Sequence, residues 1–73
     1  MIEVNGKEIL LQETNLETLL EKLGYRRERV AVELNGRIVK REEREKTEIK
    51  DGDVLEVVSF VGGRVEMKVG IKL

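Results

Sequence analysis

The chain opens with two short segments in which apolar and polar residues alternate, which predicts a β-hairpin. Ile2 and Val4 fall on one face of a first strand, and residues 7–12 return as a second strand. Asn5-Gly6 stands between them. This pair is typical of a two-residue turn in which both central residues take a positive φ.

A helix is predicted next, from apolar residues spaced i, i+3, i+4 and i+7. Thr14 and Glu17 fit a capping box at its start, and Gly24 supplies the left-handed residue that ends it. With barely two turns available, the stripe is interpreted as core rather than as a dimer seam. Its members are Leu16, Leu19, Leu20 and Leu23.

The second half of the chain predicts another hairpin and one long strand. Residues 30–34 and 37–39 flank a second Asn-Gly turn, and residues 54–61 form the last strong strand after an Asp-Gly-Asp turn. The mixed charge run 40–46 is expected to be a loop or an exposed short helical turn. Two hairpins, one helix and a final strand give α+β order.

One helix covers only one face of a sheet, so the other face is predicted to stay open and partly apolar. Leu10, Val54 and Val58 are assigned to this face, and Phe60 is added as a docking residue near the end of the last strand. Two interpretations stay open, a partner site or ordinary β-propensity on an exposed face.

Composition narrows the function. The 73 residues hold no Cys, no His and one Ser, so a Ser-His or Cys-His pair and a histidine or cysteine metal site cannot be built. We therefore expect no enzyme and no cofactor. Charged residues reach 40%, yet the net charge is −1, and such interspersed signs argue against nucleic-acid binding. No apolar run approaches the roughly 20 residues of a membrane span, and a cytoplasmic location is expected.

Gly62-Gly63 follows the last strand and has two interpretations. As a two-residue turn, it would let residues 64–71 return as another strand, and their alternation fits that. As a flexible end to the domain, it would let the backbone enter a narrow channel in another protein, because glycine has no Cβ.

Residues 1–63 resemble the sulfur carrier proteins of thiamine biosynthesis, the ThiS family. The resemblance implies a ubiquitin-like β-grasp fold, a mixed sheet packed on one helix. The resemblance covers most of the chain. The order and spacing of the matching segments are more specific than any single segment. The matching segments are the opening hairpin at Asn5-Gly6, the leucine helix, residues 30–42, residues 50–58 and Gly62-Gly63.

The resemblance also implies a chemistry. In that family an E1-like enzyme, similar to ThiF or MoeB, adenylates the terminal glycine carboxylate with ATP, and a persulfide converts it to a thiocarboxylate. The sulfur then passes to the thiazole, which makes thiazole synthase an expected partner. Carried over to this sequence, Gly63 would hold the sulfur and Gly62 would belong to the threaded tail.

The sequence departs from the family at three points. Residues 64–73 extend beyond the glycine pair, so the domain is assigned to 1–63 and the rest to a removable tail or an extra strand. Some related carriers lose such residues to a JAMM-type metalloprotease, and a cloning addition is the other origin considered. Lys40 stands where proline is frequent in the family, and Arg44 where an aromatic residue is often seen.

Other functions fit the same pattern. A carrier of this fold serves molybdopterin synthesis, cysteine synthesis or tRNA thiolation equally well, because a fold does not select a pathway. A ubiquitin-like modifier would join target lysines through Gly63. A plain interaction module would keep Gly62-Gly63 as a permanent hairpin turn.

Overall fold

The structure is a computed structural model that describes residues 1–61 and 64–67, with side chains described through residue 60. It contains one α-helix, two short 3-10 helices and six strands. In chain order these are β1 (Ile2–Val4), β2 (Lys7–Ile9), α1 (Leu16–Lys22), a 3-10 helix (Arg27–Arg29), β3 (Val30–Leu34), β4 (Arg37–Val39), a 3-10 helix (Arg41–Lys46), β5 (Val54–Val61) and β6 (Arg64–Met67). No helix in this part of the chain is long and apolar enough to cross a membrane.

The strands form one mixed sheet with β5 at its centre. The order is β2-β1-β5-β3-β4, and β6 also pairs with β5. β1 and β5 run parallel, with Glu3 opposite Val54 and Val4 opposite Leu55, whereas the other pairs are antiparallel. The mixed sheet and its single α-helix confirm the predicted α+β, β-grasp fold.

Both Asn-Gly pairs form the predicted turns. Asn5 and Asn35 each have φ of 51°, and the glycines that follow have φ of 84° and 82°. A positive φ at both central residues defines the type I′ turn, whose twist suits a two-residue hairpin. Strands β3, β4 and β5 begin and end at the residues that the sequence pattern predicts. The second strand, predicted over residues 7–12, instead ends at Ile9, because Ile9 already pairs with Ile2, the first residue of β1.

The core lies between the sheet and α1. The first three leucines of the stripe are buried against the inward residues of β1, β3 and β5, and Leu23, the C-cap, packs partly buried against the same cluster. The predicted role of the stripe as core is therefore confirmed. Tyr25 and Ile49 complete the cluster from loops that the periodicity did not single out. The fully buried side chains are Ile2, Val4, Leu16, Leu20, Val32, Ile49, Leu55 and Val57.

The predicted capping box is wrong by one residue. Asn15 is the N-cap of α1, and its Oδ1 accepts a hydrogen bond of 3.1 Å from the Thr18 backbone N–H. Glu17 does not reach back to the cap, because it is buried and its carboxylate lies 3.4 Å from the Arg27 guanidinium. The burial of Glu17 and its ion pair with Arg27 therefore outweighed the local capping-box pattern.

The charge run 40–46 is a short 3-10 helix, but one of its cations is buried. Arg44 is only 3% exposed, and it donates hydrogen bonds to the carbonyl oxygens of Arg27 at 2.9 Å and Val30 at 2.7 Å. Burial lowers the pKa of its guanidinium, and the charge of Glu17 opposes that shift. Arg44 stands where the ThiS-like sequences often have an aromatic residue. It is buried there because its guanidinium donates hydrogen bonds to backbone carbonyls.

Candidate functional site: the open face and end of β5

The open face of the sheet, the side away from α1, carries the outward residues of β5. Leu55, Val57 and Ser59 point inward and are buried, so the residues between them point outward. Phe60 is 45% exposed and Val58 is half-buried, and both lie towards the carboxyl end of the strand. The predicted alternation of faces along β5 is therefore confirmed.

Leu10 is not brought together with the other predicted docking residues. It follows β2, two strands away from Val54, and is 67% exposed. It lines a separate groove of about 360 Å³ between β2 and α1, together with Leu19 and Leu23. The structure thus splits the predicted patch into an open-face part and a groove at the sheet edge.

The open face also carries residues that the sequence reading missed. Ile38 on β4 is 76% exposed and stands opposite Glu33, which in turn stands opposite Glu56. No ion pair among the described residues involves the glutamates of this face. Once the strand register is known, the alternation of faces alone identifies the glutamates of the open face. They are Glu3, Glu8, Glu33 and Glu56.

On one edge of β5, the middle residue Val57 is held by a side chain rather than by a strand. The Asn5 side chain accepts a hydrogen bond of 2.8 Å from the Val57 N–H and donates one of 3.1 Å to the Val57 carbonyl. It also donates to the Tyr25 hydroxyl over 3.4 Å. Tyr25 is 5% exposed, and this burial raises the pKa of its hydroxyl. The segment that leads to the glycine pair is therefore fixed on the side of the first turn.

Beyond Val57, β5 pairs with β6. Ser59 stands opposite Glu66, and Val61 stands opposite Arg64. The two predicted site residues that join these strands, Gly62 and Gly63, lie outside the described residues, as do positions 68–73. The structure thus describes the strand that leads to the predicted attachment point, but not the point itself.

Nothing in the described part of the chain forms a group of three or more acidic side chains arranged to hold a metal ion. The described part of the site has partly exposed apolar side chains at Val58 and Phe60, the outward residue Glu56 next to Val58, and a strand that leads to residues 62–63. These features define a class of protein, a β-grasp domain whose central strand carries partly exposed apolar side chains near its carboxyl end.

The chain belongs to the ThiS family of sulfur carrier proteins, whose family model matches residues 1–63. It is similar to the crystal structure of the thiamine biosynthesis protein ThiS from Geobacter metallireducens, with 39% identity and a TM-score of 0.73 over 86% of this chain and 97% of that one. A solution structure of a thiamine biosynthesis protein from the same organism gives 36% identity and a TM-score of 0.70, covering 94% and 92% of the two chains.

A longer protein also contains a similar region. Sixty-one residues of a thiazole synthase from Paramagnetospirillum magneticum are 39% identical to 82% of this chain. The chain spans 19% of that relative's length. The likeness therefore concerns one segment of that polypeptide.

Proposed function

We propose that this protein carries sulfur for thiamine thiazole synthesis as a thiocarboxylate on Gly63. The observation that carries the proposal is the family match over residues 1–63, together with a fold whose central strand ends at Val61, just before the glycine pair. The family consists of small carriers rather than catalysts, so we propose no catalytic residue in this chain.

The chemistry needs a free carboxylate on Gly63. Hydrolysis of the Gly63–Arg64 peptide bond would supply it, and a JAMM-type protease is the proposed agent. An E1-like enzyme would then transfer AMP from ATP to the carboxylate, with pyrophosphate as the leaving group. The outer sulfur of a partner's persulfide would attack the acyl adenylate, AMP would leave, and an acyl disulfide joining Gly63 to that partner would form. A second thiol of the partner enzymes would then attack the partner's sulfur of this disulfide, which releases the thiocarboxylate and leaves a disulfide between the two partner thiols. All charge stabilisation in these steps falls to the partner enzymes.

The proposed docking surface is the apolar end of the open face, Val58 and Phe60. Val54 lies at the other end of β5, beyond Glu56, and Leu10 lies in the separate groove at the sheet edge. Exposed apolar side chains next to a row of glutamates suit a partner surface that is apolar and basic. The thiazole synthase relative supports such a pairing, because a region like this chain lies within that longer polypeptide.

A second candidate function is a β-grasp interaction module that keeps the glycine pair as a hairpin turn. The pairing of β6 with β5 over four residue pairs, from Val58–Met67 to Val61–Arg64, favours it. In that case residues 64–73 would stay attached and no carboxylate would form on Gly63.

The intact mass of the protein recovered from its native cytosol separates the two functions. The carrier proposal expects a chain ending at Gly63, part of it heavier by the replacement of one oxygen with sulfur. Full-length, unmodified chain alone would overturn that proposal and favour the interaction module. Deletion of Gly63 from the processed form is the matched control, and it is expected to abolish sulfur loading.

A further inference from the structure

One edge of β5 is filled in three successive parts. β1 pairs with Val54 and Leu55, the Asn5 side chain bonds to Val57, and β6 pairs with residues 58–61. The opposite edge of β5 is held by β3 from Leu55 to Ser59. β1 is too short to pair with the whole of this edge, and β6 pairs with its last four residues, 58–61.

The backbone groups on this edge belong to alternate residues of β5. The Leu55 carbonyl accepts a hydrogen bond of 2.9 Å from the Asn5 N–H, and Val57 bonds to the Asn5 side chain. By the same alternation the N–H and C=O of Ser59 and Val61 face β6. Without β6 these groups would form an open edge, which is a template for another strand.

The loss of β6 would leave the described core in place. All twelve buried apolar residues of the core cluster lie between Ile2 and Val57. β5 would also keep its five paired positions with β3. Among the side chains that the structure describes, the packing of the core therefore does not depend on β6.

We propose that the Val58–Val61 edge of β5 is a strand-docking site for an extended segment of a partner protein, and that β6 fills this site in the full chain. β6 itself shows which segment fits, since apolar Val65 and Met67 stand opposite Phe60 and Val58. The occupant is therefore a short strand with apolar residues at alternate positions, added antiparallel to β5.

The inference deepens the proposed function, since removal of the tail is what would open the edge. Docking a partner strand here would widen the apolar part of the open face directly beside Phe60. It would also place that partner next to residues 62–63, where the proposed chemistry takes place. The Asn5 amide at Val57 limits the free edge to about four residues, which is the length of β6.

The test uses the full chain with Glu66→Pro. Proline has no N–H, so it removes a ladder hydrogen bond where Glu66 stands opposite Ser59. The matched control is Glu66→Ala, which keeps the N–H. The probe is a synthetic peptide with the sequence of residues 64–73, titrated into each isotope-labelled chain and followed by NMR.

We expect the peptide to bind the Glu66→Pro chain at least about tenfold more tightly than the Glu66→Ala or unaltered chain. In those two, the tethered β6 competes at an effective concentration on the order of millimolar. The amides of Ser59 and Val61 should lose exchange protection in Glu66→Pro and regain it with peptide. The double variant Val65→Gly/Met67→Gly keeps the backbone N–H groups but removes the two apolar side chains and lowers the strand propensity, and it should give an intermediate affinity.

Three results would overturn the proposal: Ser59 protection in Glu66→Pro equal to that of the unaltered chain, an unprotected edge that does not take the peptide, or dimers formed by exchange of strands between copies. Because the titration uses no ATP and no sulfur, its failure would leave the carrier proposal standing. Failure of sulfur loading would likewise leave the docking site standing.

Discussion

Asn5 and Asn35 occupy equivalent turn positions, but they bond to groups of different burial. Both have φ of 51° before a glycine. The Asn5 amide bonds to Val57, whose side chain is buried, whereas the Asn35 amide bonds to Asp53 and Val54 in an exposed setting. Water replaces lost partners at an exposed site but not at a buried one.

Replacement of each asparagine by glycine isolates this difference, because glycine keeps the positive φ. We expect Asn5→Gly to lower the free energy of unfolding by about 1–3 kcal/mol, and by clearly more than its matched control Asn35→Gly. Urea denaturation of both variants measures the two losses. Equal losses would show that the amide bridge to Val57 adds nothing beyond the turn.

Burial of Tyr25 predicts a loss of stability in alkali. Because the folded state raises the pKa of its hydroxyl, the unfolded chain gives up that proton more readily. The stabilisation is fully present below the pKa of an unfolded tyrosine, about 10, and it is lost as the pH rises above that value. The direction of this pH dependence follows from the desolvation of the Tyr25 hydroxyl alone.

Tyr25→Phe removes this titration and is compared with the unaltered chain by urea denaturation between pH 8 and pH 11, a range set by the usual tyrosine pKa of about 10. We expect the free energy of unfolding to fall less steeply with pH in Tyr25→Phe. The two chains differ at no other residue, so the difference between the curves reports on Tyr25. Parallel curves would contradict the argument.

At the scale of elements, the start of α1 is also a contact between elements. Asn15 caps the helix through Thr18, and its Nδ2 donates a hydrogen bond of 2.7 Å to the Glu45 carbonyl in the second 3-10 helix. The Leu16 N–H donates to the Thr47 carbonyl at 3.0 Å. The cap therefore fixes where the helix begins and where residues 41–47 lie.

We expect Asn15→Ala to cost about 1–2 kcal/mol of stability, the usual loss for a removed N-cap. Thr14→Ala is the matched control. It changes the neighbouring exposed residue, for which a loss within about 0.5 kcal/mol is expected. Thermal and urea unfolding measure both. A larger loss in Thr14→Ala would restore the capping box predicted from the sequence.

At the scale of the whole molecule, the two faces of the sheet have separate roles. The inner face holds the core with α1, and the open face carries Val58 and Phe60 together with outward glutamates that form no ion pair with residues 1–60. Replacing an outward side chain should therefore change partner binding more than folding. This separation follows from the period-2 alternation of β5.

Val58→Asp tests that separation. We expect the chain to stay folded while its association with the activating enzyme weakens at least about tenfold, or about 1.4 kcal/mol. Ile38→Asp makes the same change on the open face, two strands away, and should have a smaller effect. Calorimetric titration measures binding, and circular dichroism measures folding. Unfolding of Val58→Asp would show that this residue belongs to the core instead.

The sequence by itself determined the local elements and the chemistry available to them. Period-2 alternation, the Asn-Gly pairs and the leucine stripe depend on neighbours a few residues apart, so β1 to β5 and α1 were predictable. The absence of Cys and His limited the catalytic options before any fold was known. The likeness to a family that ends in Gly-Gly suggested the carrier role.

Only the tertiary structure decided which distant residues meet. The parallel pairing of β1 with β5, the bridge from Asn5 to Val57 and the burial of Arg44 join positions that lie far apart in sequence. Leu10 is a further example. Alternation placed it with Val54 on the open face, whereas in the fold it lines the groove between β2 and α1. Local periodicity records which way a residue points within its own element, whereas packing between elements decides what it meets there.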